Sequence, residues 1–214
     1  MLLDHVGYFL FPTVTALRIV GRLAFPIFAF CVAEGCRHSK SRFKYWLRIL
    51  ICALIFQAIA VFSEAGFRLP TSFGAVFSLP FNIFGSFAVA IPLCVLFNKL
   101  KTMKFGGFLL FMLSVFAVYV LSRYVEFDYG FVGMLVPLSA FVFTEKWSKF
   151  LCFSLALLAL SATSGWNVQY YSLLSVLILS LYGGHYGSKK YKWWFYVFYP
   201  VHLILIYAVD FLIK

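Results

Sequence analysis

Long apolar runs separated by short polar clusters repeat along the whole chain. A helix that crosses a membrane needs about 20 mostly apolar residues. That measure predicts about nine segments, near residues 1–13, 15–36, 46–65, 73–98, 106–124, 130–144, 148–165, 167–184 and 194–213. The expected fold is an all-α integral membrane protein, a single polytopic bundle over residues 1–214 whose first helix is short. As a helix, the first segment rises only about 20 Å, against a hydrocarbon core of about 30 Å. Either it is a half-span inside the bundle, or the natural start lies upstream of Met1. Pro80, Asn82, Gly85 and Pro92 mark the fourth segment for a kink or break, and the short sixth contains Gly133 and Pro137.

The polar clusters alternate in charge. Arg37, Lys40, Arg42, Lys44 and Arg48 form one basic connection, and Lys99, Lys101 and Lys104 a second. Lys146 and Lys149, diluted by Glu145, form a third, and Lys189, Lys190 and Lys192 a fourth. The connections between them carry Glu64 with Arg68, then Arg123, Glu126 and Asp128, then Thr163 to Asn167. Basic loops stay in the cytoplasm. The alternation therefore predicts a cytoplasmic N-terminus and an extracytoplasmic C-terminus.

Composition agrees with the pattern. The chain is 64% hydrophobic and only 12% charged, about half the charge of a soluble domain. A net charge of +11 would suggest nucleic acid in a soluble protein. Here the cations sit in short loops, so topology explains them first, and no nucleic-acid partner is expected. Their second use is a phosphate-bearing ligand. The five cysteines form no C-x-x-C pair, and no metal site is expected. Asp4 and His5 occupy the place of a positive n-region, so no cleavable signal peptide is read.

The charges inside the apolar runs change the picture. Burying an ionised group in hydrocarbon costs at least ~2.5 kcal/mol, so such residues are retained for use or for pairing. Asp4 and His5 open the first segment, Arg18 and Arg22 lie in the second, and Glu34 closes it. Imidazole titrates near neutrality, which makes His5 a candidate general base or a structural hydrogen-bonding group. Asp4, Glu34, Asp128 or Asp210 could partner it. Arg18 and Arg22 are spaced i, i+4 and share a helix face. They suit pairing with Asp4, Glu126 or Asp128, or binding a carboxylate or oxyanion. The loop from Arg37 to Arg48 mixes cations with Tyr45 and Trp46. That mixture suits a nucleotide bearing phosphates, and by residue type it suits anionic lipid headgroups better. His202 follows Pro200 in the terminal segment, a second histidine placed beside a kink.

Several of these strings occur together in order. MLLDHVGYFLFP, LRIVGRLAFPIFAFCVAEGCRHS, KYWLRIL, FDYG and FYPVHLILI resemble the TraX family. The namesake of that family is required for N-terminal acetylation of F-type conjugative pilin. The family is similar to a wider group of multispanning acyltransferases that take acetyl-CoA from the cytoplasm. The resemblance implies a multi-pass protein of the bacterial inner membrane with acetyl-CoA as co-substrate. It implies His5 as the catalytic histidine, with Asp4, Arg22 and Glu34 beside it. Arg18, Arg22 and Glu34 fall on its GR and EG motif positions, Arg37, His38, Tyr45 and Arg48 on the basic segment that follows, Asp128 in DYG and His202 in the terminal PxHL string. The inferred expectation is that Arg18, Asp128 and His202 bind the substrate, and that Arg37, His38, Lys44, Tyr45 and Arg48 bind acetyl-CoA. Two departures stand out. Family members usually carry apolar residues before the Asp-His pair, and Cys36 and Ser39 replace the more usual Phe and Thr.

The leading expectation is a membrane acetyltransferase acting on a pilin N-terminal amine, a glycan hydroxyl or a lipid headgroup. A small proton-coupled transporter using Asp4, His5 and Arg22 is the main alternative, although no internal repeat is visible. A haem or quinone protein is the third, with His5 and His202 as its only deeply placed histidines.

Overall fold

A computed structural model describes residues 1–64, 79–165, 167–183, 198 and 201–209. Among them the chain is helical throughout, apart from one isolated backbone bridge between Phe81 and Phe127. The helices are α1 (Leu2–Phe9), α2 (Thr15–Arg22), α3 (Ala24–His38), α4 (Arg42–Glu64) and α5 (Ile83–Leu100). They continue with α6 (Lys104–Tyr124), α7 (Gly130–Val142), α8 (Lys146–Ser164), a 3₁₀ helix (Asn167–Leu173) and α9 (Leu174–Ser180). Residues 201–209 are also helical. Five helical stretches are long and apolar enough to cross a membrane: Thr15–His38, Arg42–Ser63, Ile83–Leu100, Phe105–Tyr124 and Lys146–Ser164.

The expectation of about nine spans is thus met only in part. The first segment is a short helix and a turn. The sixth, α7, is a short apolar helix. The eighth begins as a 3₁₀ helix. Half of the ninth, with Asp210 and the loop at Lys189–Lys192, lies outside the described residues, as does the C-terminus. The second segment is interrupted at Leu23, between α2 and α3. Pro26 explains that break. It has no N–H to return to the carbonyl of Arg22, and its ring crowds that carbonyl, so the ladder is cut one turn before the proline. Pro92 likewise offers no N–H to the Ala88 carbonyl, although α5 continues through it, and that carbonyl accepts from the Trp46 indole N–H at 2.8 Å. A side chain of α4 thereby satisfies the carbonyl that the proline leaves free in α5.

Short connections join α5, α6, α7 and α8. One end of the bundle collects the cation-bearing ends of α3, α4, α5 and α8. The other collects the 79–82 segment, the 125–129 loop and the end of α8. The core is built from α3, α5, α7 and α8 around Phe25, Phe87, Ile91, Val136, Phe153 and Leu157. α7 packs on the other three, which suits a short helix enclosed by protein. Ala29, Ala33 and Cys36 keep one face of α3 small, so neighbouring helices approach closely. α6 is peripheral and exposes Phe105, Phe108, Leu109, Leu113 and Phe116. That surface suits lipid rather than water.

α1 folds back on α2 as a tight hairpin. Gly21 permits it: a Cβ there would lie 2.7 Å from the Asp4 Cα. Gly7 makes the reciprocal approach, where a Cβ would sit 2.9 Å from that of Leu17. The hairpin brings the Asp4-His5 pair level with Arg22, well inside the end that carries the 125–129 loop.

Candidate functional site

Asp4, Arg18 and Arg22 form one ion-paired centre. Asp4 Oδ1 lies 3.0 Å from Arg18 Nη1 and 3.1 Å from Arg22 Nη2. Arg18 also donates to the Asp4 backbone carbonyl at 3.2 Å. Arg22 is only 9% exposed, and a cation so placed must be paired to be tolerated. Its Nη1 donates to the Tyr129 hydroxyl at 3.3 Å and to Gln169 Oε1 at 3.3 Å. Four parts of the chain therefore converge on one guanidinium: α1, α2, the 125–129 loop and the 3₁₀ helix.

The loop that brings Tyr129 is held by backbone hydrogen bonds. Phe81 N–H donates to the Glu126 carbonyl at 2.8 Å, and Asp128 N–H donates to the Phe81 carbonyl at 2.8 Å. Tyr129 adopts φ 85°, among the described residues the only positive φ outside glycine. Such a backbone costs about 1–3 kcal/mol and persists where the surroundings impose it. Here Phe25 stacks on the Tyr129 ring at 4.0 Å. Asp128 keeps an exposed surface while the neighbouring protein desolvates its carboxyl. Burial pushes its carboxyl up to about 6, Arg22 pulling it down and Asp4 up.

The structure brings together two histidines far apart in sequence. The rings of His5 and His202 stand 5.7 Å apart. His202 Nδ1 lies 2.9 Å from the Phe198 carbonyl. A carbonyl only accepts, so Nδ1 carries the proton there and Nε2 keeps the lone pair in the neutral ring. Close by, a cavity of about 560 Å³ is lined by Gly7, Tyr8, Pro12, Thr15, Arg18, Gly165, Asn167 and Val168.

Glu34 is not part of this centre. It lies twelve residues beyond Arg22, about 18 Å further along the helix axis. Its Oε1 pairs with Lys149 at 2.9 Å, and its Oε2 lies 3.2 Å from His38 Nε2. It therefore does not sit beside His5, as the sequence reading expected. Asp4 likewise spends Oδ1 on two arginines, so it holds the guanidinium pair first of all. Arg37 also departs from expectation. Its Nη2 donates to the carbonyls of Ala140, Phe141 and Phe143 at 3.2, 2.8 and 3.0 Å, capping the end of α7.

Lys44 and Arg48 remain at the surface, where a phosphate group could reach them. With Ser39, Lys40, Ser41 and Leu47 they line a second hollow of about 550 Å³ at the basic end. Arg48 lies over the Tyr45 ring at 5.9 Å, and Tyr45 packs against Gly35, where a Cβ would meet its hydroxyl at 2.6 Å. The hollows at Arg18 and at Lys44 lie at opposite ends of the bundle, and neither is lined by His5. Among the described residues no group of three or more His, Cys, Asp and Glu could hold a metal ion.

Tyr129 and Gln169 were not singled out from sequence, and Lys149 was read only as part of a basic loop. Gln169 carried a signal, because an uncharged amide inside an apolar segment must find a partner. Tyr129 carried none beyond its place in the FDYG string.

These features define a polytopic helical membrane protein with a buried arginine–aspartate centre and two facing histidines. The profile of the TraX protein family matches residues 1–210, and the chain belongs to that family. It is also similar to a probable fimbrial assembly protein FimC, serogroup H1, of Dichelobacter nodosus. The two are 25% identical over 206 residues, covering 89% of this chain and 81% of that protein. No solved structure matches the chain.

Proposed function

We propose that this protein is an acetyltransferase of the bacterial inner membrane. It moves acetyl from acetyl-CoA to an acceptor amine or hydroxyl. The observation that carries this reading is the TraX match over residues 1–210, joined to the pairing of His202 with His5, which is next in sequence to the Asp4 that holds Arg22. The basic end faces the cytoplasm, where Lys40, Lys44 and Arg48 meet the phosphates of acetyl-CoA. The thioester arm runs inward from there. The acceptor arrives from the opposite end, through the hollow beside Arg18. The relative named a fimbrial assembly protein favours a fimbrial subunit as acceptor over a glycan or a lipid headgroup.

In this reading His5 takes the proton from the attacking amine or hydroxyl. Arg22, held from several sides, faces the oxygen on which negative charge develops, and such a fixed donor serves a transition state well. Asp4 fixes both arginines. The test is direct: purified protein in lipid nanodiscs should release CoA from acetyl-CoA and label a supplied peptide amine. Arg22→Lys should be severely impaired, because a point charge does not reproduce a planar fork that reaches three partners. Arg22→Lys at wild-type rate would remove Arg22 from the mechanism.

A further inference from the structure

The 3₁₀ helix beside the arginine pair carries two polar side chains with unmet bonding capacity. Gln169 is 2% exposed, and Ser172 is fully covered. Gln169 Oε1 accepts from Arg22 Nη1 at 3.3 Å. That bond settles which way round the amide lies. A guanidinium only donates, so the amide oxygen must face it and the amino group must face elsewhere. Gln169 Nε2 then has no hydrogen-bond partner, and neither does the Ser172 hydroxyl. Residues three apart eclipse one another in a 3₁₀ helix, so both lie on one face. Buried donors are almost always paired, by protein or by something bound. Irregular backbone at membrane depth is tolerated where it is enclosed by protein or lines a cavity. The adjoining residues Asn167 and Val168 do line the hollow beside Arg18.

We infer that Gln169 Nε2, with the Ser172 hydroxyl beside it, donates to the carbonyl oxygen of the acetyl group being transferred. The inference rests on the acetyl-transfer reading above. In that reaction the acceptor's lone pair forms a bond to the carbonyl carbon, and the C=O π pair moves onto oxygen. Collapse restores the carbonyl and breaks the C–S bond. The acceptor's proton passes through His5 to the departing CoA thiolate. The unpartnered donors of Gln169 and Ser172 lie on one face of the 3₁₀ helix, and an oxyanion is a species that takes two donors.

The test compares Gln169→Glu, Gln169→Met and Ser172→Ala with wild type in nanodiscs, reading kcat, the KM for acetyl-CoA and thermal unfolding. Glutamate keeps the oxygen facing Arg22 and removes the donor; methionine removes both without adding charge. Both Gln169 variants should lose about 10²–10³-fold in kcat, as loss of one oxyanion donor does. KM should stay near wild type. Unfolding should stay near wild type for Gln169→Glu and fall for Gln169→Met, which strips Arg22 of an acceptor. Ser172→Ala should lose less. Folded variants with kcat within about threefold of wild type would overturn the assignment, with a buried water filling the gap. So would a loss of activity that only tracks loss of folded protein. A wild type that transfers no acetyl would overturn the functional reading and this inference with it. An active wild type with active variants would overturn this inference alone.

Discussion

Asp128 illustrates how one residue's surroundings set its chemistry. It lies in the loop that delivers Tyr129 to Arg22, and burial raises its carboxyl from 3.8 to about 6. Between those values the folded protein holds a proton that the unfolded chain has released. The stability contributed by the neutral carboxyl is therefore present below 3.8 and is lost as pH rises to about 6. Thermal unfolding in detergent should fall across that window for wild type and run flatter for Asp128→Asn; parallel profiles would contradict the assignment. Much at this scale was legible in the chain. Asp4, His5, Arg18 and Arg22 announce themselves because ionisable groups in apolar sequence must be paired or used. Partner choice was less legible. Glu34 looked available to His5 because both belong to the first two segments, yet twelve residues of helix place it about 18 Å from Arg22. Gln169 and Tyr129 reach the centre only through folding, across 147 and 107 positions of chain.

Elements are positioned here by their defects as much as by their regular turns. Pro26 cuts the second segment beside Arg22. Pro92 frees the carbonyl that Trp46 takes, and Gly21 admits α1 against α2. Arg37 belongs to this scale, because it closes the end of α7 with three hydrogen bonds from one nitrogen. Hydrogen bonds to a charged group are worth about 1.5–3 kcal/mol. Arg37→Gln should therefore lower thermal stability and leave the KM for acetyl-CoA near wild type. Lys44→Gln with Arg48→Gln should do the reverse, raising KM with little change in unfolding, and more so at low salt. If Arg37→Gln instead raised KM at unchanged stability, its role would return to phosphate binding. Hydropathy found the long helices because each buries or exposes apolar residues along about 20 positions. It merged α2 with α3 and the 3₁₀ helix with α9, because a local break leaves an apolar run unaltered.

At the scale of the whole molecule, the basic clusters define one end and the arginine–aspartate centre lies toward the other. If that basic end faces the cytoplasm, cysteines at Lys101→Cys and Ser164→Cys should label from opposite sides, in a background lacking the five native cysteines. Labelling from the same side would reverse or break the arrangement of α6, α7 and α8. The count of spans was the less legible quantity, since a half-length hairpin and an interrupted eighth segment read as spans by composition. The polarity of the two ends was legible in the alternation of charge, and the family in the order of its strings. The central claim is that His5 acts as the base in acetyl transfer, and one measurement bears on it most directly. Radiolabelled acetyl-CoA is given to wild type, His5→Ala and His5→Gln in nanodiscs with a fimbrial-type peptide amine, and labelled peptide is counted. The account predicts transfer by wild type and a loss of about 10²–10⁴-fold in both variants, each folded and inserted. Near-normal transfer by His5→Ala would contradict it and pass the role of base to His202.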